Sequence, residues 1–370
     1  MTRSRLRSSL APVALLSAAS ALVCLGACTI VNGLVADPPD GGAVVITDGA
    51  SGDGEAGPIA NGCATPPPKP SVPDDGTLET VAVARRLFLT PPVGAAPVGF
   101  DLDDSCLLPT SDTCRSPQPF SDDKGGLDNR GAQLFALVND RTDLEQRAND
   151  GILAGKNGLL VKIAKYNGKA EDYLVEISLY SAIGLLDGGD VVPPAFVESE
   201  KWTIDEGQFS ELGLPKLLVD GWVTGGKAYA LVPPNASLRL SNSFSVQLSG
   251  GVLRFDLDLS TAKPRITGGV IAGRWPARDI LATLSRQRLT DAGASALCNP
   301  SQAVLLELGR QQVCGNVDIM SDRTKDRTGA ACDATSVAFA FEAAPASLGP
   351  RMPFTPEDDC PGFDAGACEK

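Results

Sequence analysis

The sequence predicts a mainly β fold: an antiparallel β-sandwich, jelly-roll-like, with a few short helices and with disulfides stapling it together. Three observations predict it. Short apolar segments with period-two alternation recur at roughly 8–12-residue spacing, the pattern of a sandwich or barrel. Helical periodicity is confined to a few short stretches. Eight cysteines lie beyond the first 60 residues (Cys63, Cys106, Cys114, Cys298, Cys314, Cys332, Cys360 and Cys368), an even number that suits a disulfide framework.

Taken in order, the chain opens with Arg3, Arg5 and Arg7 ahead of an uncharged apolar run that begins at Leu10 and closes on Leu25-Gly26-Ala27-Cys28. Charged, apolar and small residues in that order make an export signal, predicted over residues 1–27. The rival is an uncleaved anchor, since Leu10–Val31 is uncharged and about 20 apolar residues span a bilayer. Against it, Pro12, Ser17 and Ser20 dilute the run and no basic cluster follows. Residues 28–76 are rich in Gly, Asp, Pro and Ala, with Asp-Pro-Pro-Asp-Gly-Gly and Thr-Pro-Pro-Pro-Lys-Pro as typical pieces. Such a segment buries too little apolar surface to offset its ordering entropy, and is predicted to be a disordered tether. Its proline-rich end, Pro66 to Pro73, should be stiffer and extended.

The body is predicted over 77–370. Thr80 to Ala84 reads as a first strand and Arg130 to Asn139 as a helix. Thr142-Asp143-Leu144-Glu145 fits a capping box that opens a second helix. Leu159–Ala164 and Tyr173–Leu179 alternate as strands joined in a hairpin across Asn167-Gly168. Further strands are expected at Ala228–Val232, Ser237–Leu240, Phe244–Leu248, Val252–Leu259, Gly269–Gly273 and Ser336–Phe341. Arg254, Asp256 and Asp258 alternate with apolar neighbours, as on a sheet with one wet face. Two helices come late. Pro276 leads into one with Ile280, Leu281 and Leu284 inward; Asn299-Pro300 caps the other, with Val304, Leu305 and Leu308 inward. Short loops favour bridges Cys106–Cys114 and Cys360–Cys368. A helix between Cys298 and Cys314 would hold them too far apart, which favours Cys314–Cys332.

Composition excludes several chemistries. The chain has 32 basic and 45 acidic residues and a formal net charge of −13, so it repels phosphate backbones, and nucleic acid is not an expected partner. It contains no histidine, which removes Ser-His-Asp and Cys-His catalysis and histidine-based zinc sites. Gly221 to Lys227 spells a phosphate-binding loop, but Ala228 stands where a Ser or Thr must reach the metal, and a strand follows instead of a helix. It reads as a hairpin turn. Ser121-Asp122-Asp123-Lys124 matches the Ser-x-x-Lys of penicillin-recognising enzymes by letters alone, without the partner motifs.

The acidic segment Asp101, Asp103, Asp104, Asp122, Asp123, Asp128 and Asn129 is the candidate site, together with Asp112 between them. Calcium takes six to eight oxygens at about 2.3–2.6 Å, which clustered Asp and Asn side chains supply. The spacing is not that of an EF-hand. The alternative is a solvated acidic loop, so calcium is the only cofactor expected, and only on the first reading. A carboxylate hydrolase or a glycan-binding module is the other open class. Glu198, Glu200, Asp205, Glu206, Asp256 and Asp258 lie near strands, and Trp202 and Trp222 could stack on sugar rings.

Leu25-Gly26-Ala27-Cys28 resembles the lipobox of bacterial lipoproteins. The resemblance implies removal of 1–27 and acylation of Cys28, so that membrane lipid is a partner through its acyl chains. Thr29, where an aspartate would retain the protein at the inner membrane, favours the outer membrane. The body resembles uncharacterised exported lipoproteins that carry Gly-Phe-Asp-Leu-Asp and Leu-Asp-Asn segments, here Gly99 to Asp103 and Leu127 to Asn129. No activity comes with that likeness. The expected protein is an anchored β-rich ectodomain that binds or organises an unknown protein or glycan and does not catalyse.

Overall fold

The computed structural model describes residues 62–73, 75–91, 97–107, 113–118, 122–123, 125–241, 244–288, 295–355 and 360–368. The expected export signal, Cys28, the expected tether up to residue 61 and Asp112 lie outside the described residues. In chain order the elements are β1 (Leu78–Phe88), α1 (Gly131–Thr142), α2 (Leu144–Leu153), β2 (Gly158–Tyr166), β3 (Asp172–Asp187), β4 (Asp190–Val191), β5 (Lys201–Asp205), β6 (Leu218–Thr224), β7 (Lys227–Val232), β8 (Ala236–Arg239), β9 (Ser245–Leu248), β10 (Gly251–Asp258), β11 (Arg265–Pro276), α3 (Ala277–Ser285), α4 (Ala303–Gly315), β12 (Ala334–Pro345) and β13 (Ser347–Met352).

Eight of these strands close into an antiparallel barrel, not a sandwich or jelly roll. Each barrel strand pairs with the next one in the chain: β1 with β2, β2 with β3, β3 with β6, β6 with β7, β7 with β10, β10 with β11 and β11 with β12. The ring closes where β12 pairs with β1, from Ala82↔Pro345 to Phe88↔Ala340. Sandwich and barrel share one sequence signature, alternation; only this last pairing distinguishes them, and no local pattern encodes it.

Alternation sends one face of every strand inward. Ala82, Ala84, Leu159, Val161, Ile163, Ile177, Leu253, Phe255, Phe339 and Phe341 belong to one buried cluster that fills the interior. Eight strands give a barrel just wide enough for side chains to occupy it, so this is a core and not a lumen. The apolar-in pattern is the inverse of a lipid-spanning barrel, whose apolar side chains face out. Gly269 lies on the inward face, where a Cβ would come 2.8 Å from Phe255 and 2.9 Å from Phe341. Its missing side chain is the space in which those two rings meet, centroids 6.0 Å apart.

The up-and-down order gives the barrel two unlike ends. Three connections at one end are short: 167–171, 225–226 and 259–264. The first is the expected hairpin. The second is the phosphate-loop lookalike, a two-residue turn with Gly225 and Gly226 both at positive φ (60° and 72°), as a tight hairpin requires. The four long connections all leave the other end. They carry α1 and α2, β4 and β5, the β8–β9 hairpin, and α3 and α4. Phe135 of α1, Phe244 before β9 and Trp275 of β11 pack together there, with centroids about 6 Å apart.

Several local expectations change. The four disulfides are Cys63–Cys106, Cys114–Cys332, Cys298–Cys360 and Cys314–Cys368. Cys106–Cys114, Cys314–Cys332 and Cys360–Cys368 do not form, because partners are set by segments that meet, not by loop length. Arg115 pairs with Ala331, which brings Cys114 to Cys332. The tail 360–368 runs alongside α4 and bridges both of its ends, with Arg310 donating to the carbonyls of Ala365 and Ala367 between them. The helix does separate Cys298 from Cys314, as expected.

On α4 the inward stripe is Leu306, Gly309 and Val313, with Gly309 against Leu284; Val304 and Leu308 are 74% and 52% exposed. Two apolar stripes compete on that helix, and the one containing glycine makes the close contact. The capping box is also replaced. α1 continues through Thr142, whose hydroxyl donates back to the Val138 carbonyl. Asn139 Oδ1 caps α2 at Glu145 N, while the Glu145 carboxylate accepts from Leu89 N and Thr90 N at the end of β1. Arg254, expected on a wet face, is buried, because residues 98–102 cover the outside of β10.

The filled interior sets the first prediction. Gly269→Ala should cost about 1–3 kcal/mol by overpacking, read as a lower denaturant midpoint, whereas Leu308→Ser on the exposed side of α4 should change it little.

Candidate metal centre

Two motifs singled out in the sequence meet in space. Gly99-Phe100-Asp101-Leu102-Asp103 meets Leu127-Asp128-Asn129 at a single bridge, Asp128 N donating to the Phe100 carbonyl at 2.9 Å, and bends at Leu102 and Asp103. Period two then divides the first motif. Phe100 and Leu102 enter an apolar cluster against Tyr229, Val252 and Val270 on the barrel wall. Asp101 and Asp103 take the opposite side and meet Asp128.

One carboxylate oxygen from each of Asp101, Asp103 and Asp128 lies within 4.8 Å of the others. The three residues are 5%, 4% and 2% exposed. Their hydrogen bonds are mostly local. Ser105 N donates to Asp101 Oδ1 at 3.0 Å and to Asp103 Oδ1 at 2.8 Å, and Leu102 N donates to Asp128 Oδ2 at 2.7 Å. Half-buried Asp122 accepts from Ser105 Oγ at 2.5 Å. Among the described residues, buried Asp101 Oδ2 has no hydrogen-bond partner.

Other members of the acidic segment do different work. Asp104, at φ 60°, pairs with Arg323 at 2.5 Å. Asp123 is exposed in the turn before Leu127. Asn129 is a clamp: its amide donates to the Val98 carbonyl and accepts from Ala338 N, fastening the loop to β12. Sequence reasoning missed Asp318, which accepts from Ser336 N and Ser336 Oγ and acts electrostatically on Asp128. It also missed the buried Arg274–Asp326 pair at 2.7 Å, whose guanidinium donates to the Leu102 and Met320 carbonyls. Both partners come from distant sequence and carry no local signature.

The electrostatics follow from burial. Desolvation, then the neighbouring Asp103 charge, pushes Asp101 up to about 6. Desolvation raises Asp128 well above the carboxylate range, with Asp103, Asp122 and Asp318 adding to it. Desolvation lifts Asp318 to about 7 against two hydrogen bonds from Ser336 that lower it. Chemically the arrangement is an oxygen-only donor set for a hard cation. Cys63 Sγ and Cys106 Sγ lie within the same reach of Asp101, but they are joined to each other and are not ligands.

The segment entering the body is fixed at this point. Residues 62–73, expected in the tether, lie along the barrel wall. Cys63 bridges to Cys106, Ala64 N donates to the Gly125 carbonyl, and the Ala64 carbonyl accepts from Asp101 N. Trp222 Nε1 donates to the Pro67 carbonyl at 3.1 Å, and Lys69 sits over the rings of Tyr173 and Trp222. Gly126 makes room for the bridge, since a Cβ there would come 2.5 Å from Cys106 Cβ.

The carboxylates named for hydrolysis do not gather around a sugar platform. Trp202 and Trp222 are 0% and 6% exposed and present no ring face to solvent. Asp205 pairs with Arg239, Glu198 with Lys263, and Glu200 accepts from three backbone amides of 195–197. Asp256 pairs with Arg254, and Asp258 accepts from Ser260.

Fold and site together define a disulfide-stapled, up-and-down eight-stranded barrel with a buried carboxylate cluster on its outer wall. No family model matches the chain, no curated protein matches it, and no solved structure matches it.

The raised carboxyls predict a pH dependence. A native pKa above the unfolded value means the folded state holds more protons, so the contribution is present below about pH 4 and is lost as pH rises through about 6 to 7. In chelator the melting midpoint should therefore fall across that window relative to an Asp101→Asn variant, whose profile should be flatter. Melts at stepped pH test it; identical slopes would remove Asp101 from the titration.

Proposed function

We propose that this chain is an exported lipoprotein, cleaved after residue 27, acylated at Cys28 and held by its acyl chains at the outer membrane. Its barrel is a non-catalytic ectodomain that binds or organises a protein or glycan partner. The observation that carries the reading is the reinforced root of the tether. A chain that only linked two parts would not need fastening to the barrel wall. Here the Cys63–Cys106 bridge, the Trp222 hydrogen bond to Pro67 and the Lys69 contacts intercept a pull on the tether before it reaches β1. Without them, tension would act directly on β1, which β2 and β12 hold on its two sides. Four disulfides also suit an oxidising, exported compartment.

A Cys28→Ala chain should lose incorporation of labelled fatty acid and move from the membrane to the soluble fraction. A variant that stays with the membrane would favour the uncleaved anchor instead.

A further inference from the structure

We propose that Asp101, Asp103 and Asp128 bind one calcium ion, and that this ion ties the root of the tether to the barrel. The argument rests first on span. Two oxygens bound to one calcium at about 2.4 Å can be no more than about 4.8 Å apart. The three carboxylate oxygens lie within 4.8 Å of one another. It rests second on an unfilled acceptor. Asp101 Oδ2 is buried and, among the described residues, has no hydrogen-bond partner, although the carboxyl is also held through the Ser105 and Cys106 backbone, Oδ1 accepting from Ser105 N. A buried carboxylate oxygen without a donor is costly, and a cation meets that need.

The donor set selects the ion. It offers oxygen only, because the chain lacks histidine and both nearby sulfurs are bridged. Magnesium demands a near-octahedral shell and keeps several waters, whereas calcium accepts irregular carboxylate cages. The ion would join the 99–103 segment to the 127–129 segment, and Asp101 N holds the Ala64 carbonyl beside the Cys63–Cys106 bridge. Asp104 and Asn129 are outside the site, held by Arg323 and by β12.

The test uses the full chain in detergent, stripped with chelator, and does not depend on whether Cys28 is acylated. Calorimetric titration with calcium chloride should give one ion per chain, with Kd below about 1 mM, the weak end for extracellular calcium modules. At about 100-fold over Kd the melting midpoint should rise by roughly 5–10 °C. Asp101→Asn should weaken binding at least about tenfold, one such factor being about 1.4 kcal/mol, while Asp123→Asn, on an exposed carboxylate outside the cluster, should bind as the parent does. No heat and equal midpoints in calcium and chelator for the unsubstituted chain would overturn the site, whatever the variants do. Weakening by Asp123→Asn with Asp101→Asn unaffected would overturn the assignment of ligands, and magnesium binding as tightly as calcium would overturn the choice of ion.

Discussion

Everything in this molecule depends on the pairing of its first barrel strand with its last. β1 and β12 meet near opposite ends of the chain, with Ala82 opposite Pro345 and Phe88 opposite Ala340. Closure removes both edges of the eight-stranded ring, which would otherwise offer unpaired backbone groups to another chain, and leaves β13 as the edge of the strands beside it. It also fixes which side chains point inward, because a one-residue slip in register would turn each strand inside out. The fit of Phe255 and Phe341 over Gly269 is set by the neighbouring β10–β11 and β11–β12 registers. Pairing across so long a loop carries a large closure entropy, and contacts of that range make folding slow.

The disulfides answer a different need. None of the eight bridged cysteines lies in a barrel strand. The barrel is held by its filled interior and its ladders, while the bridges secure the entering strap, the β1–β2 and β11–β12 connections and the tail. These segments are long, and although they bury apolar residues such as Phe135 and Ile280 against the barrel, they lack its continuous ladders. Cross-linking is the remaining means of limiting their freedom, most effective where the closed loop is long, as for the 218-residue separation of Cys114 and Cys332.

This division explains what could be read from the sequence. Strands legible as alternation, such as Leu159–Ala164 and Val252–Leu259, appear as β2 and β10, because alternation is a local consequence of the pleat. β5 and β13, beside the barrel, had no such signature. Whether the sheets stack or close is a property of β1 and β12 together and is written in neither. Bridges fail for the same reason: Cys106 meets Cys63 because Gly126 gives way beside it, which no spacing rule contains. Within the acidic segment the carboxylates were legible as a cluster, but not that Phe100 and Leu102 would be drawn into the barrel wall and away from Asp101 and Asp103. That Asp128 would complete the group, while Asp104 and Asn129 turn to other partners, depends on Arg323 and Ala338 far along the chain.

The cluster and the strap are best understood together. Burying three carboxylates side by side is unfavourable, and a fold with no use for them would be better served by apolar or hydrogen-bonding residues. Their position is where the incoming chain first touches the body, beside a disulfide and below a proline strap held by Trp222. With the proposed calcium, two kinds of fastening would coincide, one covalent through Cys63–Cys106 and one ionic through the three carboxylates. Opposing charge at Arg323, Arg327 and Arg274 acts on the backbone and rim of the loop, at Asp104, the Asp103 carbonyl and the Leu102 carbonyl, and leaves Asp101 Oδ2 without a donor. The loop is thus pre-shaped by cations at its edge while its centre keeps its acceptor open. Such a division would suit the proposed calcium site: the cost of bringing like charges together is met during folding and not on binding.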